Sequence, residues 1–198
     1  MELRQLSVAG AWEVALDPRR DERGSFTEWY SVGDFAGVLG APLPLAMAGV
    51  SVSRKGVIRG VHYVDTPPGQ ARYVTCVAGE VLDFVVDVRE GSPTFGGWDS
   101  VRLGADHARA VYLSEGLGHA FTALTDRATV LYLCSAPYAA QRERTVHPLD
   151  GELALPWPVS ADVASLSERD RSAPGLAEAG RRGLLPSFTA VRGLVRDR

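Results

Sequence analysis

The sequence predicts an all-β fold, a sandwich or barrel of short strands with short strands at its N-terminus and a helical tail at its C-terminus. Three observations carry this. From Met47 onward, extended runs follow one another closely: Val50–Ser53, Gly60–Val64, Ala71–Val77 and Val81–Val88, then Asp99–Leu103, Ala110–Leu113, Ala120–Leu124 and Thr129–Leu133. Turn residues separate them at short spacing, as in Pro67-Pro68-Gly69, Ala78-Gly79, Gly91-Ser92-Pro93 and Gly96-Gly97. The intervals leave no room for the crossover helices that a parallel doubly wound sheet requires.

Before this region, residues 4–16 are predicted as a strand pair broken at Ala9-Gly10, with Trp12, Val14 and Leu16 alternating. Residues 17–24 (DPRRDERG) are expected to form a polar turn, and 25–30 to be extended. A short helix is predicted over 32–39, capped by Ser31 or Asp34 and stopped at Gly40, with Pro42 and Pro44 marking a loop. Composition shifts after Pro156-Trp157-Pro158, where charge, Ala and Arg increase. Residues 174–183 are predicted as a helix with Pro at its start and Gly at its end. Length supports a single domain over 1–198, with a core of about 1–158 and a helical appendage over 159–198.

Composition narrows the partners. A net charge of −3 gives no electrostatic reason for nucleic acid or an anionic membrane surface. No apolar run approaches the ~20 residues that span a bilayer. The opening MELRQLSVAGAWEVAL lacks a basic segment leading into a long apolar one, so no signal peptide is expected. Cys76 and Cys134 build no disulfide framework, and a cytoplasmic location is the expectation.

The chemistry centres on Arg54–Trp98, where His62 lies between Arg59 and Arg72 and feeds a predicted hairpin. Metal is the first question. His62-Tyr63-Val64 lacks the second histidine of a His-x-His pair, and His119 stands alone in SEGLGHAF. Two histidines without an evident carboxylate ligand fall short of an open three-ligand site, so no metal is expected. A neutral imidazole is instead a general base, and such a base needs a carboxylate to fix its tautomer. Asp83, Asp87 and Asp170 are all candidates; the first two share one face of a strand at period two. For Asp170 a plain capping role in Ser167-Glu168-Arg169-Asp170 is the competing reading. For His62 itself the competing reading is a hydrogen-bonded structural residue, the more frequent role of a lone histidine on a strand. Tyr132 and Tyr138 bracket the last predicted strand; either can donate a proton to a carbanion, or simply pack. Arg23, Arg59 and Arg72 together have the chemistry of a phosphate clamp, although each alone reads as a surface charge.

Six stretches occur in one order: DERGSFTE (21–28), SRKGVIRGVHY (53–63), GEVLDFVVDVREGSPTFGGW (79–98), YLSEGLGHAF (112–121), LYLCSAPY (131–138) and LSERDRSAP (166–174). Together they resemble the dTDP-4-dehydrorhamnose 3,5-epimerases, especially the branch serving antibiotic deoxysugar pathways. The resemblance spans roughly residues 1–190. It implies a cupin-type jelly-roll barrel without metal or other cofactor, a homodimer, and a dTDP-4-keto-6-deoxysugar as substrate. By motif it implies that His62 is the general base, Asp170 its orienting carboxylate and Tyr138 the acid on the opposite face. Tyr132 and His119 would line the sugar pocket, and Arg23 and Arg59 would bind the diphosphate. Phe26 and Glu28 would be nucleotide contacts offered by the neighbouring subunit. Arg72 stands where the family usually has a lysine that steadies the enolate. The segment Ala46–Val50 lacks the usual polar nucleotide contacts, and Tyr63 replaces the commoner Phe. Two rival functions follow from the same residues: a non-catalytic cupin module that binds a nucleotide sugar, and a metal-dependent cupin oxygenase or isomerase.

Overall fold

A computed structural model describes residues 2–160 and 164–191. The predicted N-terminal strand pair forms as β1 (Glu2–Gln5) and β2 (Ala11–Ala15). The polar stretch that follows is not a simple turn. It folds into a two-stranded ribbon, β3 (Arg19–Asp21) with β4 (Gly24–Phe26), exposed along its length. Extended structure stops at Phe26 because the aromatic residues beyond it are used elsewhere. Trp29 stacks on Tyr73 with ring centroids 5.3 Å apart, and the Tyr73 hydroxyl donates to the Trp29 carbonyl at 2.6 Å. Helix α1 (Val32–Leu39) has the predicted bounds: the Ser31 hydroxyl accepts from the Asp34 N–H, and Gly40 closes the helix in the left-handed region at φ 81°.

Eight further strands match the eight predicted runs. They are β5 (Met47–Ser53), β6 (Ile58–Val64), β7 (Arg72–Ala78) and β8 (Glu80–Val86), then β9 (Trp98–Gly104), β10 (Arg109–Leu113), β11 (Gly118–Ala123) and β12 (Ala128–Cys134). The run predicted to Val88 ends at Val86, because the Asp87 N–H turns away to the Gly97 carbonyl at 2.9 Å. A short strand, β13 (Glu143–Thr145), had no pattern long enough to predict it.

The strands form a six-stranded sheet, β1-β2-β10-β7-β12-β5, facing a five-stranded sheet, β13-β6-β11-β8-β9. Among the described residues these strands pair with one another antiparallel throughout, in a cupin-type jelly roll. Alternation divides each strand between two environments. Val81 and Val85 point between the sheets to meet Val74, Val111 and Val130, while Phe84 and Val86 point outward. The outer face of the six-stranded sheet is covered by α1, whose Phe35 meets Tyr73 edge-on at 4.8 Å.

The outer face of the five-stranded sheet is covered by the tail. Leu176, Ala179 and Leu185 pack onto Val61, Tyr63 and Phe84. The tail contains α2 (Glu168–Arg171) and α3 (Leu176–Arg181), so the helix predicted from Pro174 starts two residues later. Its first turn is set from across the fold: the Pro174 carbonyl accepts from the His147 N–H at 2.8 Å, and the Asp150 carboxylate accepts from the Leu176 N–H. Cys76 and Cys134 are both buried and unbridged.

Candidate active site

One end of the space between the sheets opens into a pocket of about 190 Å³. Inward-facing residues of four strands line it: His62 from β6, Arg72 from β7, His119 from β11 and Tyr132 from β12. Arg59 lines it too, although it stands three residues before His62 and strict alternation would turn it outward. A β-bulge resolves this. His119 pairs with His62 while Phe121 pairs with Arg59, so β6 carries one extra residue opposite β11. Gly60 occupies the bulge at φ 131°, where a Cβ would collide with Ala120 and the His119 carbonyl.

The carboxylate of His62 comes from far along the chain. Residues 165–170 return beside the start of β6, with the Ile58 N–H donating to the Ser165 carbonyl at 3.0 Å and the Ser165 N–H to the Gly56 carbonyl at 3.1 Å. Ser167 then caps α2, its hydroxyl accepting from the Asp170 N–H at 3.1 Å. The Asp170 backbone completes the cap, and its carboxylate meets His62 Nε2 at 2.6 Å. The Asp170 side chain is 3% exposed and that of His62 29%, so the carboxylate is shielded while the ring reaches the pocket. Burial pushes the Asp170 carboxyl up. The hydrogen bond and charge of His62, with bonds from Ser167 and the Gly60 backbone, outweigh burial and hold it below the ordinary carboxylate range.

The other two candidate carboxylates have different partners. Asp83 is fully buried and lies 2.7 Å from His119 Nε2; burial raises its pKa, with His119 opposing. Asp87 accepts from Arg89 Nε at 2.8 Å and from the Ser92 and Thr94 hydroxyls at 2.5 and 2.6 Å, tying the turn after β8 together. Among the described residues, no group of three or more His, Cys, Asp or Glu side chains is placed to hold a metal ion.

The remaining wall supplies donors. Tyr132 lies edge-on to His119 with ring centroids 6.0 Å apart, and its hydroxyl is 3.3 Å from Ser51 Oγ. Burial pushes its phenol up to about 12, so it keeps its proton near neutral pH. Tyr138, on the loop after β12, lines the same pocket and is 62% exposed. Arg59 is steadied by Nε donating to Ser53 Oγ at 3.0 Å. Gln70 and Glu143 line the wall beside Met47, Phe121 and Cys134 and were not singled out from sequence. Gln70 stands two residues before Arg72, at the spacing of a shared strand face, whereas nothing local distinguishes Glu143.

Arg23, Phe26 and Glu28 are not brought to this pocket. Arg23 and Phe26 lie on the exposed β3–β4 ribbon around a separate hollow with Arg19 and Arg20, and Arg23 is paired with Asp21 at 2.5 Å. Glu28 lines another hollow with Asp17 and Asp34.

Known proteins share this arrangement of strands. The sequence profile described as dTDP-4-dehydrorhamnose 3,5-epimerase matches residues 5–178. A dTDP-4-dehydrorhamnose 3-epimerase from Streptomyces niveus is 52% identical over 195 residues, covering 98% of this chain and 93% of its own. NovW from Streptomyces spheroides, a 4-keto-6-deoxy sugar epimerase of the novobiocin biosynthetic gene cluster, superposes with a TM-score of 0.94 at 53% identity, over 96% of this chain and 95% of its own. ChmJ from Streptomyces bikiniensis, a 3′-monoepimerase crystallised with dTDP-quinovose, gives a TM-score of 0.94 at 47% identity, over 97% and 96% of the two chains. This chain belongs to the dTDP-4-dehydrorhamnose 3,5-epimerase family.

Proposed function

We propose that the protein epimerises a dTDP-4-keto-6-deoxyhexose at C3, C5 or both, in deoxysugar biosynthesis of the antibiotic or rhamnose type. The observation that carries this is the His62–Asp170 pair at 2.6 Å, opening onto a pocket shared with Arg72, Tyr132 and Tyr138. A C–H beside a ketone is acidic because the resulting carbanion delocalises onto the carbonyl oxygen. Asp170 holds the imidazole of His62 in the tautomer whose free nitrogen faces the sugar, and His62 takes the proton. Arg72, itself largely buried, supplies positive charge beside the enolate oxygen. Tyr138 returns a proton from the opposite face. Proton loss and gain balance, and no electrons are transferred.

Binding away from the reacting carbon is assigned to Arg59 at the pocket and to Arg23, Phe26 and Glu28 of a second copy in a homodimer. Two features support the dimer. The Arg23 and Phe26 ribbon is exposed and lines a hollow of its own, not its chain's pocket. Among the described residues, β5 is paired on one side only and presents Val50 and Val52, which are 64% and 52% exposed. Diphosphate binding then supplies energy that positions the sugar.

Proton NMR of dTDP-4-keto-6-deoxyglucose incubated with the protein in D2O tests the assignment. Loss of the C3 proton signal alone identifies a 3-epimerase, and loss of C3 and C5 signals a 3,5-epimerase. His62→Asn should abolish uptake. Binding without exchange by the intact protein would overturn catalysis in favour of a nucleotide-sugar binding module.

A further inference from the structure

Arg72 is a cation almost withdrawn from water, with a side chain 10% exposed, and it is held on three sides. Its Nε donates to Gln70 Oε1 at 2.9 Å and its Nη1 to the His62 carbonyl at 3.3 Å, while Nη2 lies 3.5 Å from Glu143 Oε2. The two side-chain partners are themselves anchored. Gln70 Nε2 donates to the Ala136 carbonyl at 2.8 Å, two residues before Tyr138. Glu143 is 9% exposed, and its segment is pinned at both neighbours: Arg142 donates to the Asp65 carbonyl at 2.9 Å, and Arg144 pairs with the Asp65 carboxylate at 2.6 Å.

We propose that Glu143 is a positioning residue, which with Gln70 fixes the plane of the Arg72 guanidinium so that its unused N–H groups face the oxygen on which charge develops. The inference rests on the epimerase reading above. A guanidinium has five N–H donors in a rigid plane, so engaging one edge fixes where the others point. A long cationic side chain without these partners would spread over several rotamers, and only one places its donors well. Stabilisation of a developing oxyanion depends on donors set in advance, so a loose Arg72 keeps its charge and loses its effect on the chemical step. The contact between Gln70 and Ala136 adds that the loop bearing Tyr138 is registered against the same cation, which couples the oxyanion donor to the returning acid.

A double-mutant cycle on the full chain, with dTDP-4-keto-6-deoxyglucose as substrate, tests this. Glu143→Ala should lower kcat by roughly 10–100-fold while KM stays within about threefold, since the lost interaction belongs to the transition state. In an Arg72→Ala background, Glu143→Ala should cost no more than about a further twofold, because residues acting as one unit are not additive. Glu143→Gln, which keeps one acceptor oxygen in place, should restore part of the rate, and it replaces Glu143→Ala in the cycle if that variant does not fold. Multiplicative losses across the cycle, or a raised KM with kcat unchanged, would overturn the proposal while leaving the epimerase assignment intact. A wild-type protein that binds the sugar without exchange would instead overturn the assignment, and this inference with it.

Discussion

Arg59 and His62 face the same pocket although only two residues separate them on one strand, because the β6 bulge at Gly60 turns the chain between them. One backbone irregularity thus joins the residue proposed to bind the diphosphate to the proposed base. Gly60→Ala should undo it. The substituted Cβ meets Ala120 and the His119 carbonyl, and the left-handed backbone alone costs about 1–3 kcal/mol for a non-glycine residue. The expected result is a lowered melting temperature and deuterium uptake reduced by at least ~100-fold, since misplaced groups lose most of their proximity advantage. Wild-type uptake in a folded Gly60→Ala protein would show that the bulge is dispensable.

Asp170→Asn should preserve the shape of the pair and remove the charge that orients His62, lowering kcat by roughly 10²–10⁴-fold. Stability carries a second signature. The folded-state pKa of Asp170 lies below the unfolded value of about 3.9. Its contribution is therefore complete above that value and is lost as the pH falls through the folded pKa. Urea midpoints measured from neutral pH downward should fall more steeply below about pH 4 for wild type than for Asp170→Asn. Parallel curves would mean that the pair is not linked to folding.

Tyr138→Phe separates the two proton transfers. Removal of the C–H proton by His62 remains possible, so deuterium should still enter the substrate from the His62 side while inversion is lost. Chromatographic analysis of the products alongside NMR in D2O distinguishes exchange from epimerisation. Full inversion in Tyr138→Phe would move the acid role elsewhere in the pocket, with Tyr132, its phenol held protonated up to about 12, as the next residue to replace.

Asp87 predicts a stability effect without a role in chemistry. It is fully buried and holds Arg89, Ser92 and Thr94 around the turn after β8. Asp87→Ala leaves the Arg89 cation buried without its carboxylate, a loss of about 3–5 kcal/mol by denaturant titration. A change under about 1 kcal/mol would mean that water or another group takes over the cation.

Sequence pattern reached the strands because the central ones are short apolar runs buried on both faces and set off by Gly and Pro turns, as in β7, β8 and β11. The β3–β4 ribbon was missed because it buries nothing and so leaves no hydrophobic period. Choosing among Asp83, Asp87 and Asp170 required the path of the tail, which no local spacing encodes; family motifs pointed to Asp170, and the geometry places it on His62. Glu143 was invisible for the same reason, since its pairing with Arg72 joins residues 71 positions apart.

The origin of Asp170 in the tail has a consequence for the history of each molecule. Ribosomal synthesis delivers β6 and its histidine about a hundred residues before the carboxylate that will hold it, and the strands of both sheets are complete by residue 145. Until the tail arrives, Val61, Tyr63 and Phe84 lack the cover that Leu176, Ala179 and Leu185 provide. A chain terminated before residue 170 would therefore lack the carboxylate that meets His62 and expose this apolar face together, and the exposed face would mark it for chaperones and proteases.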